Sequence, residues 1–222
     1  MEIAAAVYGH RMRLAALLDP WLYRYPFEGR SAARYASERP GFGDLDDRLL
    51  DAWRPELTTA RVVIDVGAGP ATFTARLAAR HPHLRVVAIE PARAFAHGGA
   101  GHATLRARAE RLPLADGCAQ AAVCLSSMRH VVDRAAAFAE LRRVVSPAGV
   151  AFVVELDPAA DRRRRANHRR AMGSRLSRLV FGPLVCSTAP TAGEMADLAR
   201  AGGWRHVGVS ADPVQPVYLL RL

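Results

Sequence analysis

The chain has 222 residues, enough for one domain with a full core, and half of them are hydrophobic. Its formal net charge is +10, but all 31 basic residues are arginine and Asn167 is the single asparagine, a pattern of codon bias that weakens charge as a sign of nucleic-acid binding. No run approaches the ~18 apolar residues of a membrane-spanning helix, and Met1 to Leu18 lacks a small-residue cleavage site, so a soluble, cytoplasmic protein is expected.

Met1 to about Arg54 reads as helical. Leu14, Leu17 and Leu18 share a helical face, Asp19-Pro20 stops that helix, and Trp21 to Phe27 is aromatic and irregular. Ser31 is placed to cap a short helix through Glu38 that Pro40-Gly41 breaks, and Asp44 to cap another through Trp53.

Arg61 to Pro91 is the most informative stretch. An apolar run, Val62 to Val66, ends at two glycines, Gly67 and Gly69, and Pro70 suits the first turn of a helix. A second apolar run, Arg85 to Ile89, ends on Glu90, about 20 residues past the glycines, where a parallel sheet places a ribose-binding acid. A dinucleotide fingerprint needs a third glycine where this chain has Thr72, so pyrophosphate binding is disfavoured.

Strands and helices alternate onward from there, which predicts right-handed crossovers and a mostly parallel, doubly wound α/β sheet. The strand candidates are Val62 to Val66, Arg85 to Ile89, Thr104 to Ala107, Ala121 to Ser126, Val150 to Glu155, Arg205 to Ser210 and Val214 to Leu220. Gly98, Gly99 and Gly101 leave room for only a turn or two of helix after Glu90. Cys118, Cys124 and Cys186 have no metal-ligand spacing and read as inert thiols, with Cys124 inside an apolar strand. Asp161 to Arg178 holds eight arginines, with Arg162, Arg165 and Arg169 on one helical face and His168 read as solvent-exposed. A solvated helix accounts for such a run; arginine forks recruiting an anionic substrate is the functional alternative.

Asp65-Val66-Gly67-Ala68-Gly69 resembles the first motif of the class I S-adenosylmethionine-dependent methyltransferases, and Ile89-Glu90-Pro91 their second. Ala107 to Gly117 resembles the segment after the third strand in the broad small-molecule branch, Ala121 to Asp133 the fourth-strand motif, and Glu140 to Val150 the helix and proline-glycine turn before the fifth. The resemblance implies a Rossmann-like sheet of seven strands, the last antiparallel, with helices on both faces. It implies one domain with an N-terminal helical lid (1–56), a cofactor-binding core (57–160), an arginine-rich pocket insertion (161–190) and a C-terminal helix with two strands (191–222).

The same resemblance implies S-adenosyl-L-methionine as cofactor and S-adenosyl-L-homocysteine as product, held by Asp65, Gly67, Ala68, Gly69, Glu90, Pro91, Ala109, Glu110 and Ser126. Relatives often carry an acid two residues before Glu110; this chain has Arg108, which leaves the adenine to the Ala109 backbone and the Glu110 side chain. His130 falls where the branch has a histidine beside the transferable methyl, a candidate base or substrate contact, and Tyr35, Arg39 and Arg129 are candidate pocket residues. No metal is expected. Leu125-Ser126-Ser127-Met128 stands where amide and base-amine methyltransferases have Asn/Asp-Pro-Pro-aromatic, which argues against that chemistry. The expected activity is methyl transfer to oxygen, nitrogen or carbon of a small molecule in a biosynthetic pathway; RNA or protein methylation and a cofactor-binding but non-catalytic partner protein are the alternatives.

Overall fold

The computed structural model describes residues 32, 35, 36, 42–99, 101–172 and 175–222. Seven strands, Val62–Val66 (β1), Arg85–Ile89 (β2), His102–Leu105 (β3), Ala119–Leu125 (β4), Val145–Leu156 (β5), Gly208–Ala211 (β6) and Val217–Arg221 (β7), form one sheet ordered β3-β2-β1-β4-β5-β7-β6. The first five pair in parallel, while β7 runs antiparallel to both β5 and β6. The helices are Leu45–Ala52 (α1), Arg54–Thr59 (α2), Thr72–Arg80 (α3), Arg134–Val144 (α4), Arg162–Ala171 (α5), Arg175–Val180 (α6) and Ala192–Ala201 (α7). No described helix is long and apolar enough to cross a membrane.

Because both faces of the sheet are covered, successive residues of the central strands are mostly apolar and serve two cores. Ile64, Val87, Ala122 and Val153 pack with Phe138 and Leu141 of α4 and Met195 of α7. Their neighbours Val63, Val86, Val123 and Phe152 pack with Leu49 of α1, Leu57 of α2 and Leu77 of α3, and Trp53 stacks on Phe152 at 4.3 Å. The chain leaves β1 toward β2 and β3, then returns to β4 on the other side of β1. That reversal opens a crevice at the carboxyl ends of β1 and β4, where an open α/β sheet takes its ligand.

Several boundaries differ from those read in the sequence, each for a local reason. The helix after β1 begins at Thr72, not Pro70, because Ala71 adopts φ +58 and keeps both residues in the turn. Asp44 precedes α1 but does not cap it: its carboxylate accepts from Arg48 Nε at 3.0 Å. β5 starts at Val145, since Ala119 pairs with Val145 and Ala121 with Val150, leaving Ser146 to Gly149 as a bulge. β3 ends at Leu105, ahead of the tight Arg108–Arg111 bridge. β6 is an exposed edge strand with no burial alternation to mark it, and β7 starts at Val217 because Asp212 folds Val214 and Gln215 into a turn through their N–H groups. The helices expected over Met1 to Leu18 and Ser31 to Glu38 lie outside the described residues, apart from Ala32, Tyr35 and Ala36, which are helical.

Candidate active site

The turn after β1 admits only glycine at its first step. Gly67 has φ +74, and a Cβ there would stand 2.5 Å from Ser127 Cβ. Its N–H donates to Ile89 O at 2.8 Å, and that of Ala68 to the same oxygen at 3.2 Å, tying the turn to the end of β2. Gly69 has φ +55 as well, but the space where its Cβ would sit is open, so its backbone lies bare to a ligand.

Glu90 closes this arrangement. It is 7% exposed; Oε2 accepts from Gly69 N–H at 2.8 Å and Oε1 from Ala92 N–H at 2.8 Å. Burial pushes its carboxyl above the ordinary range, and the two backbone N–H groups only partly oppose this. Each oxygen keeps a further lone pair for a hydroxyl donor. Gly67, Gly69, Glu90 and Pro91 line a cavity of about 570 Å3, well within the range of cofactor sites. Asp65 and Ala68 stand outside its lining: Asp65, 2% exposed, accepts from Thr74 Oγ1 at 2.6 Å and so joins β1 to α3.

The segment after β3 supplies the next wall with Ala109 and Glu110. Glu110 Oε1 accepts from Arg108 Nη2 at 3.2 Å and from the N–H groups of Val132 and Asp133 at 3.3 and 3.5 Å. Burial pushes the Glu110 carboxyl up; the Arg108 guanidinium and backbone donors outweigh it and hold the group below the usual carboxylate range. Arg108, at the exposed rim, thus pairs with Glu110.

After β4 the chain turns sharply. Ser126 has φ +54, and its N–H donates to Val154 O at 2.6 Å. Ser127 Oγ donates to Val66 O at 3.0 Å and fills the space Gly67 leaves, a partnership that the sequence carries no sign of. Ser126, His130 and Tyr35 all line the cavity, with the Tyr35 ring 6.3 Å from that of Phe95. Cys124 borders the cavity from below, and burial pushes its thiol up to about 12. Arg129 does not line the cavity: it turns inward to Glu155, 2.8 Å from Oε1. Glu155 is fully buried and was legible only as an acid ending an apolar strand, the same signature as Asp65 and Glu90. Arg39 lies outside the described residues.

The arginine-rich helix corrects one expectation, that of a solvent-exposed His168. Asp161 caps α5 by accepting from Arg164 N–H at 2.8 Å; Arg162 and Arg169 are exposed, but Arg165 turns back to Pro158 O at 2.6 Å. Arg164 pairs with Asp157 at 3.0 Å. Among the described residues, none of these arginines reaches the cavity. His168 is 3% exposed instead of solvated, because its ring stacks on Phe42 at 4.4 Å and against Phe181 at 4.6 Å.

A doubly wound sheet of this order, with a glycine turn, a buried acid after β2 and a cavity at the reversal, defines an α/β nucleoside-cofactor domain. Residues 64–153 match the family model described as a methyltransferase domain, which together with the sheet order supports a class I S-adenosylmethionine-dependent methyltransferase. It is 33% identical over 163 residues to an uncharacterized methyltransferase of Mycobacterium sp. (strain JLS), across 68% of this chain and 60% of that protein. It is 29% identical over 156 residues to the malonyl-[acyl-carrier protein] O-methyltransferase of Geobacter sulfurreducens, across 65% of this chain and 57% of that one. The chain therefore spans about 60% of the length of these curated relatives. In fold it is similar to a solved S-adenosylmethionine-dependent methyltransferase of Thermotoga maritima, described as a possible histamine N-methyltransferase, with TM-score 0.58 and 18% identity over 93% of this chain and 98% of that one.

Proposed function

We propose that the protein transfers a methyl group from S-adenosyl-L-methionine to oxygen, nitrogen or carbon of a small molecule, as a step of a biosynthetic pathway, and releases S-adenosyl-L-homocysteine. The arrangement of Glu90 carries this reading: a buried carboxylate, held by Gly69 and Ala92 N–H groups, faces the bare backbone of the glycine turn. The fit is one of chemistry as well as space, because two carboxylate oxygens with spare lone pairs match the two hydroxyls of a ribose. Gly67 and Gly69 then pass beneath the cofactor, Pro91, Ala109 and Glu110 frame its base, and Ser126, His130 and Tyr35 face the reacting end. Bound there, the cofactor supplies an electrophilic methyl on a sulfonium. The protein's part is alignment, holding an acceptor within about 3 Å of that carbon and in line with the breaking bond.

Calorimetry tests this directly. Glu90→Ala is expected to weaken S-adenosylhomocysteine binding by about 1.5–3 kcal/mol, roughly 10- to 150-fold, through loss of hydrogen bonds to a charged acceptor. Affinity of the native protein is also expected to fall on acidification with a midpoint above the ordinary ~4.3 of glutamate, because burial raises the Glu90 carboxyl and a protonated acid loses acceptor capacity. An unchanged affinity in the variant overturns the ribose assignment.

A second reading, a carboxyl acceptor borne on an acyl carrier protein, is favoured by the Geobacter relative. Salt-sensitive binding to a malonyl-loaded carrier protein distinguishes it from a free small molecule.

A further inference from the structure

The wall of the cavity that follows β4 is held from behind by one buried ion pair. Glu155 at the end of β5 accepts through Oε1 from Arg129 Nη1 and from Leu156 N–H, both at 2.8 Å, and through Oε2 from Arg129 backbone N–H at 3.1 Å. Arg129 is 11% exposed in its side chain and Glu155 is not exposed at all. The same guanidinium reaches two of the polar residues that this segment sends to the cavity, Ser126 and His130. Its Nη1 donates to Ser126 Oγ at 2.9 Å, and its Nε donates to His130 Nε2 at 3.2 Å. Arg134, from α4, fixes the turn on its other side by donating to Met128 O and Arg129 O, each at 3.0 Å.

A guanidinium has only donors, so a ring nitrogen bonded to it must be the acceptor. We infer that Arg129 is a positioning residue that locks His130 in its Nδ1–H tautomer and occupies the Nε2 lone pair. His130 is then a fixed wall of the site and not the base that removes a proton from the methyl acceptor. Glu155 keeps the guanidinium in place, and removing either member of the pair leaves an uncompensated buried charge.

This inference rests on the methyltransferase reading for its consequence, which concerns the acceptor. Of the carboxyl and thiol groups that line the cavity, Glu90 is engaged by two backbone N–H groups, Glu110 is paired with Arg108, and the Cys124 thiol is pushed up to about 12. An acceptor suited to such a site arrives with its lone pair available, as a carboxylate or a neutral amine does, and needs no proton taken from it before methyl transfer.

Nitrogen-15 NMR of the imidazole at about pH 8.5, where an ordinary histidine is neutral, reads the tautomer directly. The native protein is expected to show His130 with its proton on Nδ1. The Arg129→Met/Glu155→Leu double variant removes both charges together, a change that buried pairs tolerate, and is expected to shift His130 toward the Nε2–H form. Arg129→Met alone is expected to be strongly destabilised, and should it fail to fold, the double variant still gives the answer. A native His130 protonated on Nε2, or a tautomer unchanged in the folded double variant, overturns the proposal. S-adenosylhomocysteine titrated into the same samples separates the two readings: absence of binding removes the methyltransferase assignment and leaves the tautomer result intact.

Discussion

Gly67 and Gly69 look interchangeable in the sequence, yet they answer to different physical demands. Both have positive φ, which costs a residue with a side chain about 1–2 kcal/mol. Gly67 in addition has Ser127 Cβ in the way, whereas nothing described lies within 4 Å of a Cβ at Gly69. Gly67→Ala is therefore expected to lower stability by about 2–4 kcal/mol, strain and overpacking together, measured by chemical denaturation. Gly69→Ala is expected to lose only the smaller amount while still occluding cofactor, so calorimetry shows weakened binding in a protein that folds. Equal destabilisation by the two variants would mean that Ser127 does not abut the turn.

Elements are joined at this site by polar side chains as well as by apolar packing. Thr74 of α3, fully buried, donates to Asp65 of β1 and thereby fixes how the helix sits over the glycine turn. Thr74→Val keeps the shape and removes the donor from a buried carboxylate, a loss of about 1–3 kcal/mol in unfolding free energy. Its checkable signature is a matching drop in stability with a smaller loss of cofactor affinity, since Asp65 supports the turn without lining the cavity. An unchanged stability would show that Asp65 is satisfied without α3. Helix ends follow the same logic: Thr191 and Glu194 form a capping box on α7, and Asp133 caps α4, both recognisable from residue type and spacing. Asp44 had an equally good signature and was drawn instead to Arg48.

Across the whole molecule, Arg48 of α1 grips both carboxylate oxygens of Asp212, just past β6, and Arg164 of α5 donates to Asp212 O at 3.4 Å. Segments far apart in sequence are thus held together at the sheet's C-terminal side. Burial raises the Asp212 carboxyl, but Arg48 with the N–H groups of Gln215 and Val214 outweighs this and holds it below the ordinary range. A depressed folded-state value stabilises the protein above the unfolded value of about 3.9, and that contribution is lost as pH falls through the folded value. Arg48→Ala is expected to cost about 1.5–3 kcal/mol at pH 7, with the gap to the native protein narrowing below about pH 4. Denaturation curves at the two pH values measure it, and a gap that stays constant would rule out the pairing as its source.

The order of apolar runs, the glycines after β1 and the acid after β2 were written in the chain itself, because strand burial and cofactor approach demand particular residue types at particular spacings. The alternation of strands and helices followed from that pattern, while the antiparallel β7 was implied by the resemblance to the class I methyltransferases. The partnerships did not, because they depend on what lies opposite in space: Ser127 against Gly67, Glu155 behind Arg129, Phe42 over His168. Tertiary contact set Arg129 against Glu155 and Asp65 against Thr74, drew His168 into the interior, and brought the Arg129 guanidinium to His130 Nε2. Local spacing governs which backbone can form, but only packing decides where each charged or ionisable side chain finds its partner.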